Sequence, residues 1–165
     1  MKLFSELNGF VVYEPALLRK YLHDNNLHDN DVLKYFTNTE HGELITLGGI
    51  AIPVIGVNTG YYDINVTLDK ALLRLTDDEV KVKSSGWIYH TETGVVNIIA
   101  VGYLKNINSI VPDKTLTIKI KEGWYSVDIS CGEKEGIEDY FLEFLFTPEN
   151  RKPKFAGDFE TEYCF

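Results

Sequence analysis

Apolar positions along the chain follow two different spacings. "FVVY" (10–13) is a short strand-like run, and "EPALLRKYLHDN" (14–25) follows it. There Leu17, Leu18, Tyr21 and Leu22 recur at three- and four-residue steps behind Pro15, which predicts a helix with proline in its first turn. "NDVLKYFTN" (30–38) predicts a second short helix, capped by Asn30 or Asp31 and ended by Asn38 or the turn at Gly42. From Glu43 onward the spacing changes to two. "ELITL", "IAIPVIGV", "YYDINVTL", "DEVKVKS", "GWIYHTETGVVNIIAVGYL", "KTLTIKI", "WYSVDIS" and "YFLEFLFT" read as strands, with a hairpin around Thr91–Gly94. Eight or nine short strands with turn signals between them predict a mainly β fold, an antiparallel β-sandwich of two packed sheets carrying a short helical N-terminal segment. No strand–helix–strand rhythm follows residue 43, which disfavours a parallel α/β fold.

One stretch is written twice. "IGVNTGYYDINV" (55–66) returns as "IKIKEGWYSVDI" (118–129), and "VKVKSSGWIY" (80–89) is a degenerate third version with one more residue before its Gly. Each reads as a hairpin turning at a polar-polar-Gly step. Two origins stay open: a duplicated half, or the convergence of good hairpins on similar residues. "FETEYCF" (159–165) reads as a final edge strand, with Phe159, Thr161 and Tyr163 facing one way; the alternative is a tail draped over the sheet.

Composition sharpens this picture. A chain of 165 residues suits one domain, 1–165, with 1–42 packed on a β-sandwich formed by 43–165. Aromatics at 13% favour β structure. A net charge of −9 disfavours direct nucleic-acid binding, since phosphates repel such a surface. It suits a basic partner, or serves solubility alone. Two cysteines make no disulfide framework, "MKLFSELNGF" lacks a signal peptide's apolar run, and no stretch approaches a membrane span. These features point to a cytoplasmic protein.

Candidate chemistry is sparse. "HDNNLHDND" brings His23, Asp24, His28 and Asp29 together, a combination that ligates divalent cations. The two histidines are five apart, where a helical zinc pair wants four, and caps and a turn explain the Asp and Asn residues. A metal-dependent hydrolase would need His23 and His28 to converge with a third ligand such as His41 or His90. No nucleophile elbow, phosphate loop or dinucleotide fingerprint is present, so no cofactor is implied. Trp87 and Trp124 each follow a Gly, and an exposed coplanar pair would suit a carbohydrate-binding module.

"KTLTIKIKEGWYSVDIS" (114–130), a loop and "EDYFLEFLFTP" (138–148) resemble a pattern in small bacterial β-sandwich inhibitor and immunity proteins such as the competence nuclease inhibitor. The resemblance spans residues 114–148 and implies a protein that neutralises a toxin or nuclease rather than an enzyme. On that expectation the interface is acidic and aromatic. Asp158, Glu160, Glu162 and Tyr163, with the loop acids Glu133, Glu135 and Glu138, would occlude a basic site on the partner.

Overall fold

The structure, a computed structural model, describes residues 1–165. Its strands are β1 (Lys2–Phe4), β2 (Gly9–Tyr13), β3 (Ala51–Ile55), β4 (Tyr61–Thr67), β5 (Val80–Thr91), β6 (Val95–Ala100), β7 (Leu116–Lys119), β8 (Gly123–Glu133) and β9 (Tyr140–Glu149). Helices α1 (Pro15–Asp24), α2 (Leu33–Asn38) and α3 (His41–Leu47) lie between β2 and β3. The fold is mainly β, with a five-stranded sheet in the order β1-β4-β9-β8-β5 and a four-stranded sheet in the order β3-β2-β6-β7. No helix is long and apolar enough to cross a membrane.

Several elements differ from the expectation. "ELITL" is the body of α3, not a strand; five residues are too few for periodicity to separate the two states. Gly42 lets α3 start against the end of α2, because a Cβ there would stand 2.8 Å from the Phe36 backbone. The first forty-two residues are not only helical: β1 joins one sheet and β2 the other. Pairing is antiparallel throughout except β4 with β9, which is parallel. Residues 150–165 form no strand and run as a tail over the sheets.

The repeated motif makes no hairpin in any copy. β3 and β7 belong to the four-stranded sheet, and the β4 and β8 that follow them belong to the other. Each copy is therefore a corner at which the chain changes sheet, through Gly60 (φ 156°) and Gly123 (φ 139°). Thr91–Gly94 is likewise a corner, from β5 to β6. "VKVKSSGWIY" is a single bulged strand, its register shifting at Ser84/Trp87 where Gly86 has φ 83°.

These corners belong to a larger repeat. β1–β4 and β5–β8 follow the same path: outer strand, central strand, outer strand, then a strand that returns to pair with the first. Leu3 opposite Tyr62 matches Tyr89 opposite Tyr125, and Phe10 opposite Val54 matches Val96 opposite Ile118. The corner bonds match too: Gly56 N–H donates to Asn8 O at 3.0 Å and Ile120 N–H to Gly94 O at 2.9 Å. β2 and β6 meet antiparallel, so the halves are related by a pseudo-two-fold axis. β9 has no counterpart. It fills the space between β4 and β8, which run in opposite directions, so it must be parallel to one of them.

Burial explains the strand sequences. Twenty-one buried residues form one cluster drawn from both sheets, including Phe10, Val12, Ile98, Tyr62, Val127 and Phe144. A second cluster of nine lies on the other side of the four-stranded sheet, where Val11, Tyr13 and Ile99 meet Leu18, Val32, Ile45 and Leu104. β2 contributes to both, which is why "GFVVY" is buried at every position and reads as a continuous apolar run. The helical side is built by the two equivalent connections: α1–α3 between β2 and β3, and the 3₁₀ segments at 101–114 between β6 and β7.

Two carboxylates are buried, and both hold loops. Glu14 caps α1 by accepting from Ala16 N at 2.9 Å and reaches the β5–β6 corner through Glu92 N and Thr93 Oγ1. Glu143 on β9 accepts from Asn65 Nδ2 at 2.6 Å, Leu75 N at 2.7 Å and Arg74 N at 2.8 Å, pinning the 69–79 loop across the outer face of the five-stranded sheet. Its neighbour Phe141 lies under Arg74 and Lys134, each 5.6 Å from the ring. Removing Glu143 strands these donors, each worth about 1–3 kcal/mol when buried but less here because they are partly wet. Glu143→Ala is expected to lower unfolding stability by about 2–4 kcal/mol. Urea denaturation checks this, with exposed Glu135→Ala as a reference expected to shift by under about 0.5 kcal/mol.

Candidate functional site

The helical layer does not cover the whole four-stranded sheet. Toward the Ile55 end of β3 it leaves a groove of about 720 Å³, within the roughly 300–1,000 Å³ range of ligand clefts. Val11, Pro53, Ile55, Val101 and Leu104 make the floor, and Leu33, Phe36, Gly42 and Thr46 the helical wall. Leu7 and Phe159 stand at the mouth, both exposed.

Local sequence explains this opening. β3 is an edge strand, and the bonds Glu14 N–H to Ile50 O and Gly56 N–H to Asn8 O bracket its ladder with β2. Alternation between those bonds turns the Pro53 nitrogen away from β2, so its missing N–H costs the ladder nothing and blunts the free edge. Positive φ at Leu7 (56°) and Asn8 (52°) turns the chain sharply into β2 and leaves the Leu7 side chain outside.

The rim is acidic. Glu40, Glu43 and Glu160 line the groove, all three are exposed, and none forms an ion pair. No Lys, Arg or His lines it. An apolar floor beneath unpaired carboxylates favours an amphipathic cation and repels anions.

Of the expected acidic and aromatic set, only Glu160 reaches the groove. Asp158 accepts from Glu160 N–H at 2.9 Å within the tail's own turn, and Glu162 lies against Gly56. Tyr163 does not belong to an accessible interface: it is 1% exposed and sits in the larger core. Glu133, Glu135 and Glu138 are exposed on the β8–β9 loop and do not line the groove. Four residues that complete the site lie outside the expected set. Reading "ELITL" as a strand hides the helix start that Glu40 and Glu43 share. Leu7 and Ile55 are hidden because the positive-φ turn at Leu7 and the uncovered edge of β3 leave no mark in the spacing of apolar residues. The three-residue step from Glu40 to Glu43 was the available signal.

The alternative chemistries do not assemble. The His23 and His28 rings are 6.3 Å apart, His23 pairs with Asp24 and Asp29 with Lys34, and no three His, Cys, Asp or Glu side chains gather as a metal site. His41 is engaged by the Tyr21 hydroxyl at 2.8 Å. Trp87 is buried and donates to Ser84 Oγ at 2.7 Å, while Trp124 stacks on His90 at 4.1 Å. The two indoles thus form no common platform.

The tail that supplies Phe159 and Glu160 is fastened at several points. Ala156 N–H donates to Gly86 O at 2.9 Å, at the β5 bulge, where a side chain on Gly86 would strike Ala156 O at 2.3 Å. Phe155 and Phe159 pack edge-on against Trp87. Tyr163 N–H donates to Gly56 O at 3.1 Å, and the Cys131 thiol donates to Tyr163 O at 3.7 Å.

Burial pushes the Cys131 thiol from 9.0 up to about 12, and it raises the Tyr163 hydroxyl as well. The folded chain holds the thiol proton more tightly than the unfolded chain. The stability tied to it is intact below pH 9 and is lost as pH climbs toward 12. Urea midpoints are therefore expected to fall through the alkaline range, less steeply in Cys131→Ala; equal slopes would contradict this. Ellman's reagent is expected to titrate exposed Cys164 at once and Cys131 only on unfolding. Comparison with known proteins finds no matching family model, no matching curated protein and no matching solved structure.

Proposed function

We propose that the chain is a non-enzymatic cytoplasmic inhibitor that binds and neutralises a basic protein partner, as an immunity protein does for a bacterial toxin or nuclease. On this reading the two sheets are the leaves of a β-sandwich, with the helical layer and tail shaping a binding face on one of them. The observation that carries it is the groove: an apolar floor, three unpaired glutamates at the rim and no cation among its lining residues. Partners with a basic active site meet such a surface quickly, because complementary potentials raise encounter rates, and apolar burial at the centre then slows release. The buried carboxylates favour binding over catalysis, since Glu14 and Glu143 spend their oxygens on backbone and loop donors.

The test is genetic and biochemical. The product of the reading frame beside this one is expressed alone and with this chain, and the two are then purified together. Growth arrest by the neighbour, relieved by this chain, and loss of the neighbour's activity at equimolar ratio are expected. A harmless neighbour, or one whose activity persists in the presence of this chain, would overturn the proposal.

A further inference from the structure

We infer that the groove beside β3 is the docking site, and that its occupant is a short segment of the partner bearing a bulky apolar side chain flanked by lysine or arginine. The inference rests on the proposed partner-binding reading and specifies which surface is used and what chemistry it accepts.

Three features select this occupant. The sheet part of the floor is left uncovered at its β3 edge, so Ile55 and the partly buried Pro53, with exposed Leu7 and Phe159 at the mouth, offer apolar area to an inserted side chain. Glu40 and Glu43 come from the helical wall and Glu160 from the tail, so carboxylates from two separate elements line the opening. Cations flanking an apolar anchor would meet them, whereas an acidic or lipid-like ligand would face three uncompensated negative charges. The wall is also preorganised: Thr46 Oγ1 donates to Gly42 O at 3.0 Å, and Gly42 locks α3 against α2. Little ordering is left to be done on binding.

The probes are fluorescent peptides measured by anisotropy against the full chain. One has Leu and Lys at amphipathic helical spacing, one keeps the Leu and replaces Lys by Glu, and one keeps the Lys and replaces Leu by Ser. Variants are Glu43→Lys with Glu160→Lys, Ile55→Asp, and Glu135→Lys on the remote loop; all four positions are exposed, so the fold is expected to survive, with melting curves as the check.

The Leu/Lys peptide is expected to bind best. The double charge reversal and Ile55→Asp should each weaken it about tenfold or more, while Glu135→Lys leaves it within about twofold. Equal binding of the Leu/Glu peptide would mean a merely greasy cleft, and equal binding of the Ser/Lys peptide would mean charge alone; either overturns the inference. So would sedimentation showing a dimer that Ile55→Asp disrupts, which would make a second copy the occupant. If no peptide binds while the chain still silences its neighbour's product, the groove assignment fails and the inhibitor reading stands. If peptides bind as expected but the neighbour is unaffected, the reverse holds.

Discussion

The fold depends on β9 fitting between β4 and β8. The two equivalent halves bring β4 and β8 to the middle of one sheet in opposite directions, leaving each with an unpaired side. Unpaired buried backbone groups are costly, so something must fill that space. β9 does so along its length, parallel to β4 and antiparallel to β8. Its inward residues Leu142, Phe144 and Phe146 complete the larger core, and its outward Phe141 and Glu143 hold the 69–79 loop. A single strand thus joins the halves, and the tail that follows it borders the groove.

Much of this was legible in the sequence, and the failures share physical causes. Alternation located β4, β8 and β9 well, because Tyr62, Ile64, Val127, Ile129, Leu142 and Phe144 face one core. Polar-polar-Gly steps marked the turns, but a Gly with positive φ serves a sheet-changing corner as readily as a hairpin. Only pairing partners distant in sequence decide between them. The same ambiguity hid the parallel pair. "ELITL" misled because β-branched apolar residues suit strands, while here α3 is stabilised by its packing on β3 and α2 rather than by propensity.

The candidate site was the least legible part. Acidic residues were plain to see, but which of them share a surface depends on α3, the Leu7 turn and the course of the tail. Tyr163 looked like an interface aromatic and is instead a core anchor. It fastens the tail at one end while the Gly86 bulge fastens it at the other, so Phe159 and Glu160 are presented at the groove by fixed points on either side. The proposed site lies where a repeated β framework is incompletely covered by two connections that are equivalent in topology but unequal in build, three α-helices in one half and 3₁₀ segments in the other.

The most direct test of the framework is native-state hydrogen exchange. Amides of β9 should exchange as slowly as those of the β2–β6 pair, all at the cost of global unfolding, with α2, α3 and the tail opening at lower cost. Exchange in β9 at the faster rate of the tail, while β2 and β6 stay protected, would show that the halves cohere without it and would contradict the account.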